Sequence, residues 1–450
     1  MRVLHLITGL GVGGAEEQLR LLLRHLPRHG VRGEVVALTG SGAVAEGIRA
    51  DGTRVTELGM RGNRDLAALP RLVRLVRAGR YDVVHTHLYR ACVYGRIAAR
   101  AAGVRAVVAT EHSLGDRVLE GRPLTPGVRA LYLATERLGS TTVAVSDTVA
   151  ARLRGWGVPA HRLCTVPNGI DAARFRFDPA VRVRVRARLG LPPEAFVVAG
   201  VGRLVAGKRF ETLVDAVAGV PGARLLLAGD GPERAALRAR AGARGAADRV
   251  RLLGECPGGA VGEREEGAAP CVPEVLAAAD LFVSPSPEEA FGLAVLEALA
   301  AGLPVLYAAC PAVTDLPAGQ APGARRVPPT ADGLGDALRA AYAAHTAATS
   351  ATAPTATPPA TGFRAAGPRR LPVPGAVAHY DIARCAERLA RVYASVLGRR
   401  PGPGGPGTYG SEAPGTEAPG TQAAGGRREP PPPARTAPGA HSPTSPLTTR

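Results

Sequence analysis

Short apolar runs alternate with amphipathic helical stretches along most of this chain, and that alternation admits few folds. Arg2–Thr8 has the composition of a buried strand, Gly9–Gly14 is a glycine-rich turn, and a helix is predicted from about Ala15 to His29. Strands at Gly33–Leu38, Tyr81–His85, Ala106–Thr110, Thr141–Val145 and Leu163–Val166 carry the rhythm on. Helices near Leu66–Ala78, Tyr89–Ala102, Arg129–Leu138 and from Asp147 separate most of them. A second cycle begins at Phe196–Val201. Repeated strand–helix units imply mostly parallel sheets with helices on both faces. The expected fold class is α/β, with two Rossmann-like domains.

The rhythm places an N-terminal domain at 1–175 and a C-terminal domain at 176–342, with an inserted surface loop at 255–271. Residues 343–378 are rich in Ala, Thr and Pro and read as a disordered linker. A helix follows at 379–398, where Ile382, Cys385, Leu389, Val392 and Val396 form one apolar stripe. The Pro/Gly/Thr-rich residues 399–450 read as a disordered tail. Arg182, Arg184, Arg186 and Arg188 alternate with apolar residues and read as a charged helix beside the hinge, because helical neighbours two apart do not share a face.

The net charge of +18 favours polyanions and acidic surfaces. Aromatic residues make up only 4%, which leaves little for a base-stacking platform, and no nucleic-acid recognition module is present. Nucleic acid is therefore not an expected partner. Arg20, Arg24 and Arg28 recur every four residues, and Arg71, Arg74 and Arg77 every three. The commoner meaning is a solvated helix face; the sharper one is docking on an anionic membrane surface. Six scattered cysteines without a Cys-x-x-Cys fit a reduced compartment. No apolar run reaches the ~18 residues that span a bilayer. The expected location is cytoplasmic, with peripheral attachment to the inner face of the plasma membrane as the membrane-docking variant.

Three stretches carry chemistry. The first is Gly202-Arg-Leu-Val-Ala-Gly-Lys208, which follows a strand and precedes a helix. Arg203 and Lys208 stand at a strand's carboxyl end, where open α/β sheets bind ligands, and both cations suit phosphate. The second is Ser284–Pro304. It carries Glu289 at the mouth of an alanine-rich helix and Glu297 inside it. If the intervening residues are helical, the two Cα atoms lie about 12 Å apart. A carboxylate pair acting on one glycosidic bond lies about 5–9.5 Å apart. The glutamates therefore suit opposite ends of one elongated ligand. Phe291, Gly292 and Leu293 offer backbone N–H groups for phosphate between them. The third is a set of histidines at strand ends, His85-Thr86-His87 and Glu111-His112. His-x-His with no third ligand nearby in sequence is a poor metal site, so no metal is expected, and recognition of substrate at the cleft is the better use of His85 and His87. His5 reads as a core or surface residue.

These motifs in order resemble the retaining glycosyltransferases of family 4. The carriers are Gly13-Gly-Ala-Glu16, His85-x-His87, Thr110-Glu-His112, Val145-Ser146, Val166-Pro-Asn-Gly-Ile-Asp171, Gly202-Arg203…Lys208 and Glu289-x7-Glu297. The resemblance covers roughly residues 1–310 and the helix near 380–397. It implies the GT-B fold, in which an N-terminal acceptor domain and a C-terminal donor domain face each other across a cleft. The implied co-substrate is a nucleotide-sugar, most often UDP-linked, with no other cofactor and no metal. Arg203 and Lys208 resemble the diphosphate-binding pair, and Glu297 the carboxylate on the ribose hydroxyls. Glu289 resembles the one near the transferred sugar, with the Phe291–Leu293 amides beside it. Gly14 resembles the loop glycine near the donor phosphates, and His112 the histidine near the reacting centre. In this reading His112, Glu289, Arg203 and Lys208 are the catalytic set, and His85 and His87 lie on the acceptor side. The last helix is implied to pack back on the N-terminal domain.

The implied acceptor is a cell-envelope or polysaccharide sugar, a lipid-linked molecule or a small molecule. After Pro304 the family commonly carries Gly-Gly and an acidic residue. This chain reads Tyr307-Ala-Ala-Cys-Pro-Ala-Val-Thr-Asp315, with Asp315 the only carboxylate nearby. Other outcomes on the same plan are a nucleotide-sugar epimerase, a phosphorylase or a non-catalytic partner in polysaccharide assembly. A nicotinamide oxidoreductase fits less well, since the glycine spacing is not a dinucleotide fingerprint and no acidic residue closes the second strand.

Overall fold

The computed structural model describes residues 1–115, 118–120, 122–256, 270–351 and 370–398. The N-terminal half opens with β1 (Arg2–Ile7), α1 (Gly14–His25), β2 (Arg32–Ala37), α2 (Ala43–Ala50) and β3 (Val55–Glu57). It continues with α3 (Ala68–Gly79), β4 (Val83–His87), α4 (Tyr89–Ala101) and β5 (Val107–Glu111). A small antiparallel hairpin follows, β6 (Val118–Leu119) with β7 (Arg122–Pro123). Then come α5 (Pro126–Glu136), β8 (Thr141–Ala144), α6 (Asp147–Trp156) and β9 (Leu163–Thr165). Seven strands form one parallel sheet in the order β3-β2-β1-β4-β5-β8-β9.

The C-terminal half begins with α7 (Pro179–Arg188), β10 (Phe196–Val201), α8 (Phe210–Ala218), β11 (Ala223–Ala228), α9 (Arg234–Ala243) and β12 (Val250–Gly254). Next are α10 (Val272–Ala278), β13 (Leu281–Ser284), α11 (Leu293–Ala300), β14 (Val305–Tyr307), α12 (Pro311–Thr314) and β15 (Ala324–Arg326). Its six-stranded parallel sheet runs β12-β11-β10-β13-β14-β15. Helices α13 (Ala331–Ala351), α14 (Gly375–His379) and α15 (Ile382–Val396) follow. The expectation of two Rossmann-like α/β domains holds. Almost every residue of β1 and β10 is buried, as strands covered on both faces require. Each sheet reverses its strand order beside its first strand, between β1 and β4 and between β10 and β13, where the crevice of an open α/β sheet lies.

Helix α15 lies on the N-terminal domain against α1. Asp381 caps it by accepting from the Ala383 and Arg384 amides at 2.9 and 3.4 Å. Its buried stripe is Ile382, Cys385, Ala386, Leu389 and Tyr393. Ile170 ties the return of the chain at both ends: its amide donates to Tyr380 O at 2.8 Å, and its carbonyl accepts from Ile382 N at 3.1 Å. Gln18, buried on α1, accepts from the Gly169 amide at 3.1 Å.

The described structure departs from the sequence expectations in four places. Helix α13 extends to Ala351, and residues 370–379 lie against the C-terminal domain, so the segment 343–378 is not wholly a disordered linker. Its middle, 352–369, and the tail from 399 lie outside the described residues. Within 255–271, Cys271 is fully buried and caps α10 together with Glu274; 257–269 lie outside the described residues. The arginine segment is not simply a charged face. Arg182 and Arg186, four apart, share one side of α7 and are both buried against Asp280, at 2.6 and 2.7 Å. Finally, the basic stripes are partly used inside the fold. Arg20 and Arg24 both reach Asp51 at 2.7 Å, Arg71 pairs with Asp65 at 3.6 Å, and Arg77 donates to Ala101 O at 2.8 Å.

Asp280 also accepts from the Val197 amide at 2.8 Å, so one carboxylate fixes α7 to the start of β10. Asp280→Ala leaves two buried guanidiniums without their counter-ion. It is expected to cost about 3–5 kcal/mol of unfolding free energy in a denaturant titration, and a loss below about 1 kcal/mol would contradict that weight.

Candidate active site

The loops after β10 and β11 interlock. Gly229 has φ +137°, and a Cβ there would meet Gly202 O at 1.9 Å, so only glycine lets the two turns touch. Leu204 N donates to Asp230 O at 2.9 Å and locks the pair. The result is a rigid ledge that leaves Arg203 exposed and Lys208 half-buried.

Beyond β13 the chain does not enter the helix at Glu289, as the alanine-rich sequence suggests. It runs through Pro285–Phe291 as a loop, and α11 starts only after Gly292, whose φ of +104° forms the N-cap. A Cβ at Gly292 would lie 2.5 Å from Cys310 Sγ. The all-helical spacing assumed between Glu289 and Glu297 is therefore corrected: the first lies on a loop, the second one turn into a helix. Glu289 Oε1 lies 2.5 Å from Lys208 Nζ. The Leu293 and Ala294 amides, the first two of α11, have no acceptor within their own helix, whereas Val295 N and Leu296 N donate to Gly292 O at 3.1 and 3.4 Å. Phe291 is buried, with its ring edge-on to Tyr380 at 5.0 Å and its carbonyl accepting from Ala312 N at 2.9 Å. Its side chain therefore holds the loop in place. Burial pushes the Glu297 carboxyl up to about 7; Arg174 opposes the shift and Glu17 adds to it.

The N-terminal domain meets this loop directly. A Cβ on Gly14 would come 3.3 Å from Leu293 Cδ1, so the glycine-rich turn approaches the start of α11 across the cleft. Ser146 Oγ donates to Ala290 O at 2.7 Å while also capping α6. The Thr148 amide and hydroxyl donate to the Asp315 carboxylate at 3.1 and 2.8 Å. Arg152 donates to Leu114 O at 2.9 Å and Glu289 O at 3.4 Å, and pairs with Glu288 at 3.3 Å. The carboxyl of Glu16 is pushed up to about 7 by burial, against the pull of Arg203 from the other domain.

His112 directly follows β5 and is buried, 9% exposed. His85 and His87 are placed differently from expectation. Both are fully buried. His85 Nδ1 lies 2.6 Å from the Tyr393 hydroxyl and its Nε2 2.7 Å from Thr110 Oγ1, so this ring joins α15 to the sheet and does not face an acceptor. His87 touches the cleft only through His112, at 3.1 Å. No third ligand lies nearby in sequence, but strand pairing brings one close in space. His5, the register partner of His85 on β1, brings its ring within reach of both.

The structure thus pairs Lys208 with Glu289, sets Gly14 against Leu293, Arg203 near Glu16 and Glu297 near Glu17 and Arg174, and withdraws His85 into the sheet. Arg152, Arg174, Glu16 and Asp315 were not among the predicted site residues. Of these, Glu16 had a sequence signal as the close of Gly13-Gly-Ala-Glu16, and Asp315 as the one carboxylate after Pro304; Arg152 and Arg174 had none.

Two family models divide the chain as the two sheets do. Glycosyltransferase Family 4 matches residues 12–174, and Glycosyl transferases group 1 matches residues 182–345. The 2-deoxystreptamine N-acetyl-D-glucosaminyltransferase of Streptomyces fradiae is 30% identical over 329 residues, 65% of this chain and 74% of that protein. The chain belongs to the group 1 glycosyltransferases, with a family 4 N-terminal half.

Within this glycosyltransferase family, the D-inositol 3-phosphate glycosyltransferase 1 of Catenulispora acidiphila is 36% identical over 266 residues. That match takes in 54% of this chain and 61% of that protein. The chain spans about three fifths of the length of the first such relatives it matches. The crystal structure of Anabaena HepE with UDP and glucose superposes with a TM-score of 0.69 at 22% identity, covering 88% of this chain and all of that one. The glycosyltransferase fold here is accordingly GT-B.

Glu297 carries a test of the site's electrostatics. Its folded value of about 7 lies above the ordinary 4.5. The stability this neutral carboxyl contributes is fully present below about 4.5 and is lost as pH rises through 7. Glu297→Gln does not suffer that loss. In the unliganded protein, the Tm gap in favour of Glu297→Gln is expected to grow from pH 4.5 to pH 8. A gap independent of pH in a melting series would contradict the burial of this carboxylate.

Proposed function

We propose that the protein transfers a sugar from a UDP-sugar to a hydroxyl acceptor with retention at the anomeric carbon. The observation that carries this reading is the Lys208–Glu289 pair. It stands beside Arg203, below the open amides of α11 and across from Gly14. In the unliganded protein the cation is neutralised by a carboxylate. A diphosphate entering the ledge supplies a stronger counter-charge, takes Lys208 over and leaves Glu289 free to accept from sugar hydroxyls.

Arg203, Lys208 and the amides of Gly292 and Leu293 then surround the two phosphates, as cations and a helix N-terminus favour. Glu297, further along α11, takes the ribose hydroxyls. In the reaction the bond from the anomeric carbon to the phosphate oxygen breaks as the bond to the acceptor oxygen forms on the same face. The acceptor proton passes to the departing phosphate. Charge develops on that diphosphate, where fixed cations and amides stabilise it most. No metal and no further cofactor enter this scheme.

The acceptor binds against the N-terminal domain. Several relatives are named for small polyhydroxylated rings, D-inositol 3-phosphate and 2-deoxystreptamine. A ring of that kind is the acceptor class this reading favours.

Lys208→Ala and Glu289→Ala are each expected to lower transfer about 10²-fold or more. A thermal-shift panel of nucleotide-sugars identifies the donor, because a ligand that binds only the folded state raises Tm. Wild-type turnover in both variants, with a verified acceptor, would sink the assignment.

A further inference from the structure

The loop that carries Glu289 belongs to the C-terminal domain, yet part of its backbone is bonded from the other domain. Pro285–Phe291 runs outside any helix or strand, so its carbonyls must find donors elsewhere. Four consecutive carbonyls, from Glu288 to Phe291, do so. Glu288 O accepts from Ser286 Oγ at 2.8 Å, and Phe291 O accepts from Ala312 N at 2.9 Å. The two between them are held by α6 and its N-cap. Glu289 O accepts from Arg152 Nη1 at 3.4 Å, and Ala290 O accepts from Ser146 Oγ at 2.7 Å.

Ser146 is buried and works in two directions. Its oxygen accepts from Val149 N at 3.1 Å, which caps α6, and its one proton goes to the Ala290 carbonyl. The cap fixes the hydroxyl, so the place of α6 sets the place of the loop. Arg152 is anchored in the same way: besides Glu289 O it reaches Leu114 O at 2.9 Å and the Glu288 carboxylate at 3.3 Å.

The ledge under Arg203 and Lys208 is built differently. Gly202 N donates to Ala228 O at 3.0 Å, Leu204 N to Asp230 O at 2.9 Å and Glu233 N to Leu204 O at 3.0 Å. All six groups belong to the C-terminal domain. In the unliganded protein the Glu289 side chain is also tethered to Lys208, at 2.5 Å. Once Lys208 turns to a diphosphate that tether is gone, and the backbone bonds to Ser146 and Arg152 keep the carboxylate in place.

We propose that Ser146, supported by Arg152, is a positioning residue for sugar transfer. From the N-terminal domain it fixes the loop that presents Glu289, so the sugar end of the donor site is complete only with the two domains in contact. The diphosphate end is complete without them. The consequence for transfer rests on the reading of this cleft as a UDP-sugar site.

The test compares full-length wild type, Ser146→Gly and Ser146→Thr. Glycine removes the hydroxyl but still serves as an N-cap, and threonine keeps the O–H. Turnover is read as hydrolysis of UDP-glucose, and UDP binding by calorimetry. Ser146→Gly is expected to lower kcat roughly three- to tenfold, the worth of one hydrogen bond, with the Kd for UDP unchanged within about twofold. Ser146→Thr is expected to restore kcat. In a Glu289→Gln background the further loss from Ser146→Gly is expected to stay below about twofold, because the group it positions is already gone. The same loss in both backgrounds, UDP affinity falling together with kcat, or no rescue by threonine would each overturn the proposal.

Hydrogen exchange of the unliganded proteins tests the loop itself. Ser146→Gly is expected to speed exchange in the peptide 285–296 and to leave 202–209 as in wild type. No change in either peptide, or equal change in both, would overturn the positioning role. Arg152→Met cuts the neighbouring bond and is expected to give the same pattern; it decides if Ser146→Gly does not fold. Failure of wild type to turn over UDP-glucose would count against the proposed donor, and the exchange result then decides the role of Ser146 by itself.

Discussion

In a parallel sheet every strand ends on the same edge, and this constraint organises the molecule. Two such sheets meet edge to edge here, so loops distant in sequence converge on one cleft. His112 follows β5, Ser146 follows β8, Arg203 follows β10, Glu289 follows β13 and Asp315 lies beyond β14. None of these residues is near another of the set in sequence. The topology alone brings them together, and the contacts Ser146–Ala290 and Thr148–Asp315 hold the two edges in register. Helix α15, the last described helix, returns to α1 and the first domain.

Charge is distributed unevenly over the cleft. The cations, Arg203 and Lys208, sit on the ledge of the C-terminal domain. The carboxylates come from both sides: Glu16 from α1, Glu289 and Glu297 from the second domain. The histidines of the first sheet contribute no charge, because burial keeps them neutral. Such a site suits a ligand that is anionic at one end and hydroxyl-rich at the other. Two of its carboxyls, Glu16 and Glu297, are held near 7 before any ligand enters. That cost is characteristic of groups placed for binding more than for stability.

Much of this was legible in the sequence, and the exceptions have physical reasons. Strand and helix order could be read because parallel strands covered on both faces appear as plain apolar runs. Arg203 and Lys208 were readable because glycines and a strand end mark them, and Glu297 because it lies inside the alanine-rich helix. The start of α11 was misread. An alanine-rich stretch looks helical throughout, and only the left-handed Gly292 stops the helix from reaching Glu289. The Arg182–Arg186–Asp280 cluster was missed because its carboxylate is more than ninety residues from its partners. His5 looked like a core residue, which it is. Its link to His112 through His87 depends on strand order, β1 beside β4 beside β5, and a linear reading does not supply that. Asp315 drew notice as an isolated carboxylate, but its partner Thr148 lies in the other domain.

The proposed donor site turns on Lys208 being exchanged from Glu289 to a diphosphate. Calorimetric titration of UDP into three proteins tests this most directly. Lys208→Ala removes the cation and should weaken UDP binding roughly tenfold or more. Glu289→Gln releases the cation and should leave UDP binding as tight as in wild type or tighter. Opposite or unequal responses of this kind support the exchange. Equal weakening in both variants, or no change in either, would contradict it.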